Sequence, residues 1–273
     1  LWTLMLVISQ SENWSMRDPS RNVTFSSPQF HMLTNTMWAN LSAKRQDQVN
    51  AGYERMAACL RPAPEMLGAL ADLTETACGN AQWRRDALDM GRTTANRALT
   101  ATVLHAGRMV HAWRQQQADA ASIRQVAELN RELLDALCGL LAQSDDFSMA
   151  ASLRQLEEAK PLGGVLPALN PHTELTLKGN AENEYCRSHH FELAYHVYRK
   201  ELAAFWDYVL ARVDSGERAE WPFPPEFTQQ AKRIEDEFYA TPLAEMAPQT
   251  PRGPDEMAEY LRQLETLAAQ AVS

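Results

Sequence analysis

The sequence predicts an all-α protein, a multi-helix bundle of long antiparallel helices with little or no strand. Three observations lead there. Apolar residues recur at steps of three and four over most of the chain, the spacing of one helical face. Glycine is scarce, at 11 of 273 residues, and β-branched residues are thin beside Ala, Leu, Glu, Gln and Arg. Pro, Gly and Asn clusters separate the periodic stretches at helix-like intervals. With 45% hydrophobic and 22% charged residues the composition is that of an ordinary globular protein, and the length is enough to bury a substantial core.

The elements follow in order. Ser27 and Pro28 form a helix start, cap then first position, and Phe30, Leu33, Met37 and Leu41 follow on one face. Val49, Tyr53, Met56 and Leu60 mark a second helix, stopped by Pro62 and Pro64. Leu67, Leu70 and Leu73 carry a third to Cys78, with Gly79 and Asn80 as its C-terminal stop. From Trp83 a spine of roughly thirty residues, about 45 Å long, presents Leu88, Ala95, Leu99, Val103, Ala106, Val110 and Trp113 up to the glutamine run at 115–117. Ile123, Val126, Leu133, Leu137 and Leu140 form its antiparallel neighbour. Ser144, Asp145 and Asp146 cap a short helix carrying Phe147, Ala150 and Leu156, which Pro161 and the glycines after it break. Residues 175–179 are the one stretch expected to be extended. A long aromatic helix runs from Glu184 on to Trp206, followed by a turn at Asp214, Ser215 and Gly216 and a Trp-Pro-Phe-Pro-Pro loop at 221–225. Phe227, Ala231, Ile234 and Phe238 mark the next helix, stopped by Pro242, and Met257, Leu261, Leu264 and Leu267 mark the last.

The aromatic helix holds the densest chemistry. Phe191, Tyr195, Tyr198, Leu202, Phe205 and Val209 share a face expected to be buried, and His189, Glu192, His196 and Arg199 lie one residue round from it. His with carboxylate is also metal-ligand vocabulary. A bundle di-metal site, however, repeats Glu-x-x-His on two helices, and this helix has none. His189, Glu192 and His196 are therefore expected to be partly exposed, turned from the core, and without a shared ion. His105 and His111, six residues apart, do not share a face and read as ordinary.

Several classes fall away. A net charge of −9 with no Lys/Arg cluster argues against nucleic acid as partner. No phosphate-binding glycine loop, nucleophile elbow or His-Glu-x-x-His occurs, so neither metal nor other cofactor is expected. Cys59, Cys78, Cys138 and Cys186 have no zinc or CxxC spacing and read as small buried apolar residues. The apolar run 1–8 is too short to span a membrane. It reads as an element packed against upstream sequence, or as the tail of a signal peptide. Asn13, Asn22 and Asn40 begin triplets with the form of glycosylation acceptors, relevant only to a secreted eukaryotic protein.

Four segments, in the same order, resemble the C-terminal all-helical domain of the alpha-N-acetylglucosaminidases, glycoside hydrolase family 89. They are the Trp-Arg-Arg-Asp-Ala-Leu-Asp-Met-Gly-Arg start at 83–92, and the leucine-rich helix with its Phe147 turn and Leu-Glu-Glu-Ala close at 156–159. The third is Leu-Thr-Leu-Lys-Gly at 175–179 followed by Glu184, Tyr185 and Cys186; the fourth is the Phe227–Phe238 helix with Pro-Arg-Gly at 251–253. The chain departs from the family at Lys178, where the family has Trp, at Glu192, where it has Gly, and at 200–202, where it has Pro-Arg-Trp. The resemblance implies a helical domain over 83–273 and a helical region over 1–82 packing against an upstream catalytic barrel. In the family, two glutamates of that barrel hydrolyse terminal alpha-linked N-acetylglucosamine with retention, chemistry that needs carboxyls about 5–5.5 Å apart. By this resemblance the chain carries no catalytic residue and closes one side of the pocket. Lys178, Tyr185, His189 and Glu192 would then lie on the cleft side facing a glycan substrate. Tyr185 is the first choice for sugar contact, or else a core tyrosine. The family places such a protein in a secreted, periplasmic or lysosomal setting. The alternative reading is a free-standing helical scaffold that engages a protein partner.

Overall fold

In the computed structural model, residues 37–158 and 190–273 are described, and among them there are helices and turns but no strand. Helix α1 spans Gln46–Leu60, α2 Ala63–Ala77, α3 Ala81–Arg114, α4 Ala120–Leu141 and α5 Met149–Glu158. Helix α6 covers 191–214, starting as an α-turn at Phe191–Leu193, widening at Ala194–Tyr198 and continuing regularly over Arg199–Asp214. Then come α7 at Pro225–Ala240, the short α8 at Leu243–Met246 and α9 at Pro254–Gln270. The all-α expectation holds throughout the described residues. Residues 1–36 and 159–189, with the expected extended stretch at 175–179, lie outside them.

Helix starts and stops differ from expectation in instructive ways. Pro64 does not stop a helix; it sits in the first turn of α2, where a missing N–H costs no hydrogen bond. Asn80 does not end α2 but begins α3, its side chain accepting from the Trp83 amide at 3.1 Å. Asp119 caps α4 in the same way through Ser122, at 2.9 Å. The glutamine run does end α3, with Gln116 in a left-handed conformation (φ 61°) and the Gln117 amide bonded back to the Ala112 carbonyl at 2.8 Å.

The spine α3 runs 34 residues, about 50 Å at 1.5 Å per residue, and α4 folds back along it. A close approach fixes how α9 crosses this pair. The ring of Tyr260 lies directly on Gly139 of α4, where an added Cβ would collide with it. On its other side α9 packs along α2, tied by Arg262 to Asp72 at 2.6 Å. The main core runs from Met37 to Ala271 and draws on helices from both sides of residue 82. A smaller cluster of Val49, Tyr53, Ala57 and Leu104 joins α1 to α3, closed by the Tyr53 hydroxyl donating to the Ala271 carbonyl.

Helix α6 lies against α4 in a register written in charge. Arg124 pairs with Asp214, Arg131 with Asp207 at 3.2 Å, and Asp135 with Arg199 at 2.7 Å. The α4 order Arg, Arg, Asp meets the antiparallel α6 order Asp, Asp, Arg, and a parallel arrangement would oppose like charges at the two outer positions. Beneath that ladder, Asn130 is fully buried. Its Nδ2 donates to Thr102 Oγ1 at 2.7 Å, and its Oδ1 accepts from Trp206 Nε1 at 3.0 Å.

Some assigned faces are corrected. Leu73 is 43% exposed rather than buried. Cys59 and Cys78 are half-exposed, not buried; Cys138 is buried, and that burial pushes its thiol pKa well up. Asn40 is buried, so its triplet has no room for a glycan in the folded chain.

Replacing Asn130 by Leu leaves the Trp206 indole N–H unpaired in a sealed site, and should cost about 1–3 kcal/mol on urea unfolding. Adding Trp206→Phe should cost less than the sum of the two single changes, because it removes the orphaned donor. Additive losses would show that the bond between them contributes nothing.

Candidate functional site

The His-bearing helix carries a π-turn at Ala194–Tyr198. Such a turn accommodates one residue more than an α-turn, so it offsets the two flanking stretches by roughly 100°. A single α-helical face predicts that Phe191, Tyr195 and Tyr198 are buried together. Instead Phe191 and Tyr198 are buried while Tyr195 is 41% exposed. Beyond the turn, Leu202, Phe205 and Val209 are buried as expected, joined by Glu201, Trp206 and Val213.

Glu192 is the largest departure. Expected partly exposed beside a cleft, it is fully buried. Its Oε1 accepts from Ser148 Oγ at 2.8 Å and the Ala150 amide at 3.1 Å, and its Oε2 accepts from the Met149 amide at 2.9 Å. Ser148 Oγ in turn accepts from the Ala151 amide at 3.1 Å. The opening amides of α5 are thus satisfied by one distant carboxylate and one local hydroxyl, with the negative charge at the positive end of the helix. The carboxylate is structural: it fastens α5 to the start of α6.

His196 is half-buried, and its Nε2 donates to the Met246 carbonyl at 3.2 Å, tying α6 to the end of α8. Burial is the main force holding its pKa below the ordinary 6.5; Lys200 adds to that, while the Met246 bond, Glu192 and Glu237 oppose it. Tyr195 stacks on Phe191 with centroids 5.3 Å apart and planes 20° apart. One turn later the Arg199 guanidinium stands 4.8 Å from the Tyr195 centroid, while also paired with Asp135. The outcome is a column of Phe191, Tyr195 and Arg199 with the tyrosine held in place at the surface.

Of the sequence-predicted site residues, Lys178, Tyr185 and His189 lie outside the described residues, and Glu192 faces inward. No group of three His, Cys, Asp or Glu side chains among the described residues is placed to hold a metal ion. The helix periodicity gave no sign of Ser148 and Asp135 as partners, since each comes from a different helix or cap. The signal for Ser148 was present locally, as a serine directly before a helix. No protein-family model matches the chain, and no curated protein matches it.

Glu192→Ala should unpair three donors in a closed site and lower unfolding free energy by roughly 2–4 kcal/mol, whereas Tyr195→Ala should stay within about 0.5 kcal/mol. Equal losses would contradict these assignments.

His105, His111 and His196 all have pKa values held below 6.5, first by burial. Unfolding restores the ordinary value, so below it the unfolded chain binds more protons. Stability is therefore complete above that value and declines as pH falls through the lower folded values. The urea midpoint should drop from about pH 7 to about pH 5, less steeply in His196→Gln; a flat profile would refute this.

Proposed function

We propose that the chain is a helical accessory portion of a glycoside hydrolase resembling alpha-N-acetylglucosaminidase. Its helices close one side of the pocket for terminal alpha-linked N-acetylglucosamine, and a barrel outside this chain supplies the two catalytic glutamates. The motif order from 83 to 253 and the all-α fold support this reading, and Tyr195 carries it. A surface tyrosine held by Phe191 and Arg199 loses little freedom on contact, which makes it a strong anchor for a partner surface or a sugar edge. Among the described residues no helix is long and apolar enough to cross a membrane.

A second reading, the non-catalytic scaffold, is favoured by a separate observation. Glu192 and His196 are committed to holding α5 and α8, and neither is presented to a ligand. The same Tyr195 column would then engage a protein partner alone.

An aryl alpha-N-acetylglucosaminide separates the two. The natural protein containing this chain should turn it over, and Tyr195→Ala should lower kcat/KM by tenfold or more without changing the fold by circular dichroism. The 273 residues alone should be inactive. No turnover by the natural protein favours the scaffold, and robust turnover by the 273 residues alone refutes the placement of the catalytic pair.

A further inference from the structure

Residues 37–42 bridge two parts of the bundle. Trp38 stands edge-on to four rings, from α6, the loop before α7, and α7 itself. The centroid distances are 4.9 Å to Phe205, 4.9 Å to Tyr208, 5.6 Å to Phe223 and 5.9 Å to Phe227. The backbone after it runs against the C-terminal half of α3. A Cβ added at Gly107 would stand 2.8 Å from the Asn40 carbonyl oxygen, so only glycine admits the segment there. His111 Nε2 donates to that same oxygen at 3.1 Å, and Arg114 Nη1 donates to the Leu41 carbonyl at 2.7 Å.

Against these contacts stands a concentration of unmade hydrogen bonds. Trp38 Nε1, both ends of the Asn40 amide, and Nε and Nη2 of Arg114 are buried with no hydrogen-bond partner among the described residues. Asn40 is 1% exposed, so water does not compensate it. The desolvation cost of such groups is of the same order as the gain from aromatic contacts. By contrast Asn130, equally buried, has both ends of its amide bonded. The segment is thus held by three core side chains, Met37, Trp38 and Leu41, and two backbone contacts, and opposed by the polar groups it seals. Opening would hydrate all five atoms at once.

We infer that residues 37–42 are a detachable strap, and that Trp38 occupies an aromatic box able to receive a tryptophan side chain from a partner in its place. The ligand class follows from the box itself, whose four rings are arranged around an indole. Phe223, 43% exposed, stands at its outer edge. It is held on a proline-flanked loop that the Tyr208 hydroxyl fastens by donating to the Pro222 carbonyl at 3.2 Å. The receptor walls therefore stay in place when the strap leaves.

Hydrogen exchange followed by mass spectrometry tests the strap on the intact chain. Amides of 38–45 should exchange at least a hundredfold faster than those of α4 around Asn130. Asn40→Leu and the smaller Asn40→Ala remove the sealed amide, so at least one should slow strap exchange several-fold. Exchange of the strap in step with α4, or acceleration by both variants, would overturn the inference. The box is tested in Trp38→Ala by thermal shift with millimolar N-acetyl-tryptophanamide. A rise in Tm, absent or much smaller in the unaltered chain and in a Trp38→Ala, Phe227→Ala variant, is expected. No rise in Trp38→Ala, or an equal rise in all three, would refute the receptor.

Discussion

Asn130 fixes three helices with one side chain. Its amide donates to Thr102 on α3 and accepts from Trp206 on α6 while rooted in α4. An apolar contact tolerates sliding by a turn; a buried amide does not, because any shift leaves both ends unpaired in a dry interior. Thr102 Oγ1 donates onward to the Leu99 carbonyl at 2.9 Å, so the chain of bonds closes on the backbone of α3. The exposed ladder between α4 and α6 is weak pair by pair. Its reversed order of signs nonetheless disfavours the wrong direction, and Asn130 then selects the register.

With that trio set, the π-turn acquires its meaning. The stretch beyond it must keep Leu202, Phe205, Trp206 and Val209 on the Asn130 side. The stretch before it must bring Glu192 to the first turn of α5. One regular α-helix does not serve both phases. The extra residue reconciles them, and the residue displaced outward is Tyr195. A surface aromatic at this position is thus a consequence of two buried constraints acting on one helix, and it is available for contact because neither needs it.

The sequence was legible where burial follows a local rule. Regular spacing located α1, α3, α4, α7 and α9, because each needs only one apolar stripe against neighbours. It also anticipated burial of Phe191, Tyr198 and Leu202. It was not legible where the cause is tertiary. Glu192 and an exposed glutamate look the same along the chain, since the amides it satisfies are more than forty residues away. Tyr195 falls on the apolar face of any unbroken helix, and no residue in 194–198 marks a π-turn. Pro64 and Asn80 were assigned to the right breaks but to the wrong sides of them, because each residue type suits a helix end in either direction. Function was less legible still: the resemblance rests on motif order, and three of its four cleft-side positions fall outside the described residues.

The buried polar groups of this fold divide into two kinds, and the division sets where the protein can change. Asn130 and Glu192 are satisfied at every bonding atom the neighbouring helices reach, and they sit at helix junctions. Asn40 and part of Arg114 are sealed without partners, and they sit at the stretch 37–42, whose described residues add only one helical turn, at 37–40, to the core. Satisfied polar groups raise the cost of local opening, because opening exchanges good bonds for water bonds at no gain. Unsatisfied ones lower it, because opening makes bonds that the closed state lacks. Local unfolding free energy must therefore be graded along the chain, highest at the α3–α4–α6 junction and lowest at the strap. Among the described residues the two outward aromatics, Tyr195 and Phe223, lie away from the α3–α4–α6 junction, where a partner can be met without disturbing Asn130.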